Sequence, residues 1–406
     1  MKARQWKNNA TASPGQIVLG LLLVVACLIP AGNLLANELA VPAEFIRDIK
    51  LPGFGETILR PTALHYDRFH DEILVGDSGH NRILIFSSNG VFKFSFSLTE
   101  VMSTPRDITT DPQGFIYILG SNPDGQLLYR FDFDGAPLGA IDLPRVLAGV
   151  PVELRYLSCD EQGTLFALDH RGRRILVIGE GDVLVNTINI ELDEKLAAEL
   201  AEETTMGKGA YALGTMAISG STLYVPVSNL GSVYTYSTDG EFLGSIGYFG
   251  AKPGTLNFPV AVEISPEGLI MVLDRNRYCV VCYSPDRKFL GEFGGKGISP
   301  GWFMGPSLLS APSADRAIIG QLFRNKIQVC AIPEFIRTKA GFDLNKQSAV
   351  PELFDVPGAV GNPDVTTQRR LSDNSRPIHP RDGEFPSSDI NNAPGANTVS
   401  YPEVSE

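Results

Sequence analysis

The chain has few of the residues that usually mark a reactive site. Of 406 residues only five are cysteine, five histidine and two tryptophan. No cysteine is followed at the right spacing by histidine for covalent haem attachment, so the chain is no cytochrome itself. Cations are outnumbered: 34 lysine and arginine against 46 aspartate and glutamate leave a formal charge of −12. The first 36 residues hold Lys2, Arg4 and Lys7 and no acid, so the remainder is more acidic still. That argues against a general binder of polyanions and leaves room for a local basic face only. Long helical patterns are few, and the apolar run Ile17 to Ile29 is too short to span a bilayer unaided. What is plentiful is glycine (41) and proline (28), as in an all-β chain rich in turns.

That apolar run lies between a polar stretch with three cations and the breaker Pro30-Ala-Gly32, the three-part plan of an export signal. Three readings stay open: cleavage after Ala36, lipidation of Cys27 within Val24-Val25-Ala26-Cys27, or retention as an uncleaved anchor. Each carries the rest of the chain to the periplasm or beyond. Residues 1–36 are the only segment expected to touch lipid.

The rest is organised around residues 247 to 297. Val260 to Ile264, Leu269 to Leu273, Tyr278 to Tyr283 and Phe289 to Phe293 are short apolar or alternating runs, separated by Pro266-Glu-Gly268, Asp274-Arg-Asn276 and Pro285-Asp286. Such runs predict one four-stranded antiparallel sheet. So small a meander cannot bury both of its faces and needs neighbours of its own kind. The turn before each fourth strand supplies the ruler: Asn89, Asp134, Glu180, Asp239 and Asp286 recur at intervals of 45, 46, 59 and 47 residues. Pro61, Pro105, Pro151, Pro259 and Pro306 each precede an apolar run, and the fourth unit opens instead through Tyr211-Ala-Leu-Gly214.

The segments PTALHYD (61 to 67) and GDSGHNRILIFSSNG (76 to 90), the run LDRNRYCVVCYSPD in the fifth unit, and the links FGAKPGTLNFP (249 to 259) and FGGKGISPGWFMGP (293 to 306) resemble the NHL repeat, in its exported bacterial form. The resemblance implies a six-bladed β-propeller over residues 44–338, with blades at about 60–98, 104–143, 150–190, 211–247, 258–294 and 304–338. Lyases, binding scaffolds and nucleic-acid binders all use this repeat, so the fold by itself assigns no activity.

A propeller has to close its ring and hide its edges. Blade six supplies three clear strands, so residues 44–51 are expected to pair with 326–331 as its fourth. Glu334 to Thr338, which repeats the letters Glu-Phe-Ile-Arg, is the competing candidate. In the long interval, Leu192, Leu196 and Leu200 fall among strong helix formers and predict a short amphipathic helix at 191–203, a lid or a docking helix. Residues 340–406 are expected to be disordered. The expected fold is therefore all-β, a six-bladed β-propeller of four-stranded antiparallel blades, with one short helix inserted between blades three and four.

In such a disc the loops into each first strand share a face with the loops between second and third strands. There the sequence places Arg60, Arg106 and Arg145, then His80 with Arg82, His170 with Arg171, Arg173 and Arg174, Arg275 with Arg277, and Arg324 with Lys326. Trp302 sits in the link before blade six, as part of that surface or as a plug at the blade junction. Either Asp77, Asp169 and Asp274 pair with these arginines inside the repeat's own turn, or the face docks a protein or an anionic polymer, because guanidinium forks suit carboxylates and sulfates. RNA, which the resemblance would allow, is disfavoured by export, and no nucleic acid is expected as a partner.

Nearest the axis, the second and fourth positions after each leading proline are Ala63 and His65, Asp107 and Thr109, Glu153 and Arg155, Ala261 and Glu263, and Leu308 and Ser310. Period two puts each pair on one side of its strand. Asp107, Glu153 and Glu263, with His65, form a candidate oxygen-rich set for calcium, similar to propellers of the gluconolactonase and paraoxonase type, although no asparagine completes it. Histidine-bound zinc, as in amidating lyases with this repeat, would need three of His65, His70, His80 and His170 to converge. Cys279 and Cys282 are expected to point to opposite faces of one strand as packed thiols, and Cys282 could instead meet Cys330 of the next blade in an oxidising compartment. The residues point first to an extracytoplasmic, non-catalytic binding scaffold. The alternatives are a channel-calcium hydrolase or lyase and a structural accessory of an envelope or electron-transfer assembly.

Overall fold

The structure is a computed structural model that describes residues 41–53, 55–142, 151–191 and 212–341. The leader, the inserted helix, the tail beyond 341 and Arg145 lie outside the described residues. Within them, twenty-four strands form six four-stranded antiparallel sheets. Strand β1 (Glu44–Asp48) comes first in the chain. Blade one is β2 (Pro61–Asp67), β3 (Glu72–Asp77), β4 (Arg82–Ser87) and β5 (Phe92–Ser97); blade two is β6 (Ser103–Thr110), β7 (Ile116–Asn122), β8 (Gly125–Phe131) and β9 (Pro137–Ala140). Blade three is β10 (Leu154–Cys159), β11 (Leu165–Asp169), β12 (Arg174–Gly179) and β13 (Val183–Asn189); blade four is β14 (Ala217–Ser219), β15 (Thr222–Val227), β16 (Ser232–Ser237) and β17 (Phe242–Ile246). Blade five is β18 (Pro259–Ile264), β19 (Ile270–Asp274), β20 (Cys279–Tyr283) and β21 (Phe289–Gly294), and blade six joins β22 (Pro306–Ser313), β23 (Arg316–Gln321) and β24 (Lys326–Ala331) to β1.

The two middle strands of a blade are continuous apolar runs because both of their faces are covered. Every residue of β19 and β20 is buried, whereas the outer strand β5 alternates half-buried with exposed positions. Six buried apolar clusters fill the six blade junctions. Cys282 and Cys330 belong to the cluster between blades five and six, Cys279 to the one between blades four and five, so the two cysteines of β20 do face opposite ways. All three are free, buried thiols, and burial pushes each thiol well above its ordinary value.

The ring closes from the amino-terminal side. β1 runs antiparallel to β24, with Phe45 opposite Cys330 and Asp48 opposite Gln328, and Lys326 Nζ lies 3.3 Å from Asp48 Oδ1. The second copy of Glu-Phe-Ile-Arg is helical instead: α1 (Glu334–Ala340) buries Ile336 completely against blade five. Gly291 makes this approach feasible, since a Cβ there would lie 2.6 Å from Phe335 and 2.7 Å from Ile336. Lys339 Nζ donates to the Leu290 carbonyl at 3.0 Å.

Fully buried carboxylates organise the turns between second and third strands. Asp274 accepts backbone N–H groups from Asn257 at 2.5 Å, Phe258 at 3.2 Å, Asn276 at 3.1 Å and Arg277 at 3.0 Å. Asp77 takes the N–H of Leu59 and the Nε of Arg82, and Asp169 takes the N–H of Glu153 and the Nε of Arg174. The same carboxylates fix the register of the first strands. Pro61 stands opposite Asp77 and Pro259 opposite Asp274, with one residue bulged out immediately afterwards.

Two blades depart from the alignment of prolines. In blade three the residue opposite Asp169 is Leu154, not Pro151, so the whole strand sits three residues further on than its proline suggests. In blade two, four steps from Ser103 to Asp107 match two steps from Ser121 to Leu119, whereas Pro61 to Leu64 takes three steps against Asp77 to Val75. The bulge of β6 thus contains one extra residue. Its consequence is that Asp107 occupies the register of Leu64, Leu157, Val262 and Leu309.

Replacing Asp274 by alanine would leave four backbone donors without their acceptor. A loss of about 3–5 kcal/mol in unfolding free energy is expected by urea titration; a loss below about 1 kcal/mol would show that water replaces the carboxylate freely.

Candidate functional site

Two cavities lie on the ring axis. The first, of about 460 Å³, opens on the face of the arginine-bearing loops and is lined by Arg106, Glu153, Arg155, Tyr156 and Arg275 together with apolar residues of blades one and six. The second, of about 60 Å³, is a narrow chamber lined by His65, Arg68, Thr110, Ser158 and Glu263. Leu64, Asp107 and Thr215 border both. The inner strands supply these side chains because, beyond the bulges, their alternate residues face the axis: His65 and Glu263 occupy the same register, opposite Leu74 and Met271.

The electrostatics of the chamber follow from the loss of bulk water. Asp107 is 6% exposed, and its Oδ2 accepts the Leu157 N–H at 2.6 Å. Burial raises it to about 7, against the opposing pull of the Leu157 and Ile108 N–H groups. Burial also raises Glu263 to about 8, countered by Arg68 and reinforced by Asp107. His65 moves the other way, to about 4, because burial disfavours the imidazolium; its Nε2 is 2.9 Å from Thr110 Oγ1. Burial thus favours the uncharged form of all three groups in the chamber.

The four proposed calcium ligands do not all meet. His65, Asp107 and Glu263 border the chamber, but Glu153 precedes β10 and lies at the outer mouth, where Arg155 bonds it through Nε at 3.0 Å and Nη2 at 2.5 Å. The Arg155 guanidinium holds the Glu153 carboxyl below its ordinary value. The three-residue offset of blade three is the reason: the position assigned to Glu153 on the axis belongs to residues after Leu154. Among the described residues no three His, Cys, Asp or Glu side chains gather so as to hold a metal ion, and as placed the set does not fit calcium.

The arginines divide into two groups. Arg82 and Arg174 are bonded to Asp77 and Asp169 through Nε at 3.0 and 2.8 Å, and Arg277 bonds Glu292 and the Thr255 carbonyl. These three serve their own blades. Arg173 adopts a left-handed backbone, φ 51°, and its carbonyl accepts the Ile190 N–H. Arg60, Arg171 and Arg324 are exposed without lining the axial mouth. Trp302 also lies off that mouth: it is half-buried, it packs close to Gly297, and its carbonyl accepts from Gln328 Nε2 at 3.1 Å. Arg106, Arg155 and Arg275 remain to line the opening. Tyr156 and Arg68 are additions that repeat counting misses, since one sits inside a bulge-shifted strand and the other in a turn.

No family model matches the chain, and no curated protein matches it. Solved structures similar to it include a catalytically inactive virginiamycin B lyase from Staphylococcus aureus with quinupristin, at 14% identity over 70% of this chain and 83% of that one, TM-score 0.48. A protein of unknown function from Bacteroides thetaiotaomicron is similar at 12% identity over 71% of this chain and 73% of that one, TM-score 0.50. A streptogramin B lyase is similar at 12% identity over 71% and 88%, TM-score 0.44. The likeness is one of fold. At such identities it carries no ligand and no reaction to this chain.

The raised carboxyl of Glu263 sets a pH dependence. An acid whose folded value exceeds its unfolded one costs no stability below about pH 4, and the cost grows between the unfolded value and about pH 8, above which it stays level. Glu263→Gln is expected to raise Tm by a few degrees at pH 9, on the order of 2 kcal/mol, and to leave it unchanged at pH 4. Calorimetric scans across that range check this, and an equal effect at both ends would assign the gain to packing.

Proposed function

We propose that this chain is an exported, non-catalytic binding module that holds an anionic group of its partner in the axial mouth. One observation carries the reading: three arginines from three blades line a cavity of about 460 Å³, within the size range of small-ligand sites, in a chain whose net charge is −12. The concentration of cations runs against composition. It also survives the internal pairing that removes Arg82, Arg174 and Arg277 from the surface. Glu153, bonded to Arg155, neutralises part of it.

The pattern of residues 1–36 supports export, which would put the ligand outside the cytoplasm. The anionic group belongs to a free molecule or to the end of a protein or polymer, and either fits an opening at the centre of a broad rigid face. The turn motifs resemble the NHL repeat, a repeat that binding scaffolds use among other proteins.

Arg106→Glu combined with Arg275→Glu tests the reading. With glutarate as the probe, calorimetric titration should give binding that weakens with added salt in the wild type and falls at least about tenfold in the variant. Tm should hold, because neither arginine bonds a buried carboxylate. Equal binding by both proteins would refute an anion-binding mouth.

A further inference from the structure

Asp107 is placed where the fold has no use for an acid. The equivalent residues of four other blades are Leu64, Leu157, Val262 and Leu309, and one extra residue in the β6 bulge brings the carboxylate into that apolar register. A buried carboxylate is costly unless something compensates it. Here the hydrogen bonds come from backbone alone: Leu157 N–H at 2.6 Å and the N–H of Ile108. No arginine, lysine or histidine of the described residues bonds it. Glu263, further along the axis, makes no hydrogen bond among the described residues and borders the same chamber.

The channel therefore presents cations at its opening and carboxyl groups behind them. A dianion would meet Arg106, Arg155 and Arg275 and then be repelled from within. A simple amine would be turned away at the opening. A molecule with both charges satisfies both layers and supplies the cation that Asp107 lacks. Resting on the anion-binding reading above, we propose that the ligand is zwitterionic, with its anionic group among Arg106, Arg155 and Arg275 and an ammonium group against Asp107. The mouth of about 460 Å³ accepts an amino acid or the end of a short peptide. Asp107 is then the specificity-determining residue of the site.

Three probes of one length separate the outcomes: 5-aminopentanoate, glutarate and pentylamine, titrated at about pH 8, where Asp107 is mainly ionised. The wild type should bind 5-aminopentanoate at least about tenfold more tightly than glutarate. Asp107→Asn, which keeps an acceptor for Leu157 N–H, should bring the two within about twofold without lowering Tm. Glutarate bound as tightly as 5-aminopentanoate by the wild type, or a preference that survives Asp107→Asn, would overturn the proposal. In that event loss of glutarate binding in the Arg106→Glu and Arg275→Glu variant would leave the anion mouth standing. Pentylamine bound most tightly, indifferent to the arginines, or no binding of any probe, would remove both.

Discussion

Each blade of this protein has two apolar faces and only another blade can cover them. That constraint makes the ring compulsory: Leu74 packs into the junction with blade two while its neighbour Val75 packs into the junction with blade six, so a missing neighbour would expose a full sheet face. Closure by β1 follows from the same demand. With Phe45 and Asp48 in register on β24, the last sheet gains its fourth strand, and Ile49 and Leu51 cover the junction between blades six and one. The buried Asp77, Asp169 and Asp274 hold the first strands of blades one, three and five in place, and the depth of a first strand decides which of its side chains see the axis.

The axial site is a by-product of this ring with one local exception. Wherever a first strand follows the common bulge, its inward residues alternate between junction and channel, as Leu64 and His65 do. Blade two breaks the pattern by a single residue and delivers Asp107 to a place reserved for leucine or valine. The desolvation that the closed ring imposes then acts on every titratable group there, raising Asp107 and Glu263 and lowering His65. The arginines of the opening stay wet and charged at the rim.

Much of the architecture was legible because it is periodic. Four short runs with turn residues between them, repeated at near-constant intervals, are local patterns that a sheet must obey, and the i, i+3 spacing of Cys279 and Cys282 already implied opposite faces. The site was legible only in outline. Arg106 and Arg275 could be placed on one face and Arg155 beside the axis, yet the separation of structural from available arginines depends on whether a buried Asp77 or Asp169 lies within reach of a given guanidinium. Glu153 was misplaced because Pro151 looked like the other leading prolines, and a three-residue offset leaves no mark on composition or hydropathy. A bulge is a hydrogen-bonding event, decided by which backbone groups find partners across the ladder.

The two copies of Glu-Phe-Ile-Arg divide what the chain specifies alone from what packing decides. The sequence by itself determined the blades, their number and the acidic balance against which a cationic opening stands out, since each rests on local propensity or simple counting. It could not determine that residues 44–47 are a strand and 334–337 a helix, because the letters are the same. One copy meets the open edge of β24 and completes its hydrogen bonds; the other follows Pro333 and meets Gly291, whose missing side chain leaves space for Phe335 and Ile336. Tertiary structure likewise decided the depth of Asp107, because a residue's distance from the axis is set by the strand opposite it and by the ring that removes its water.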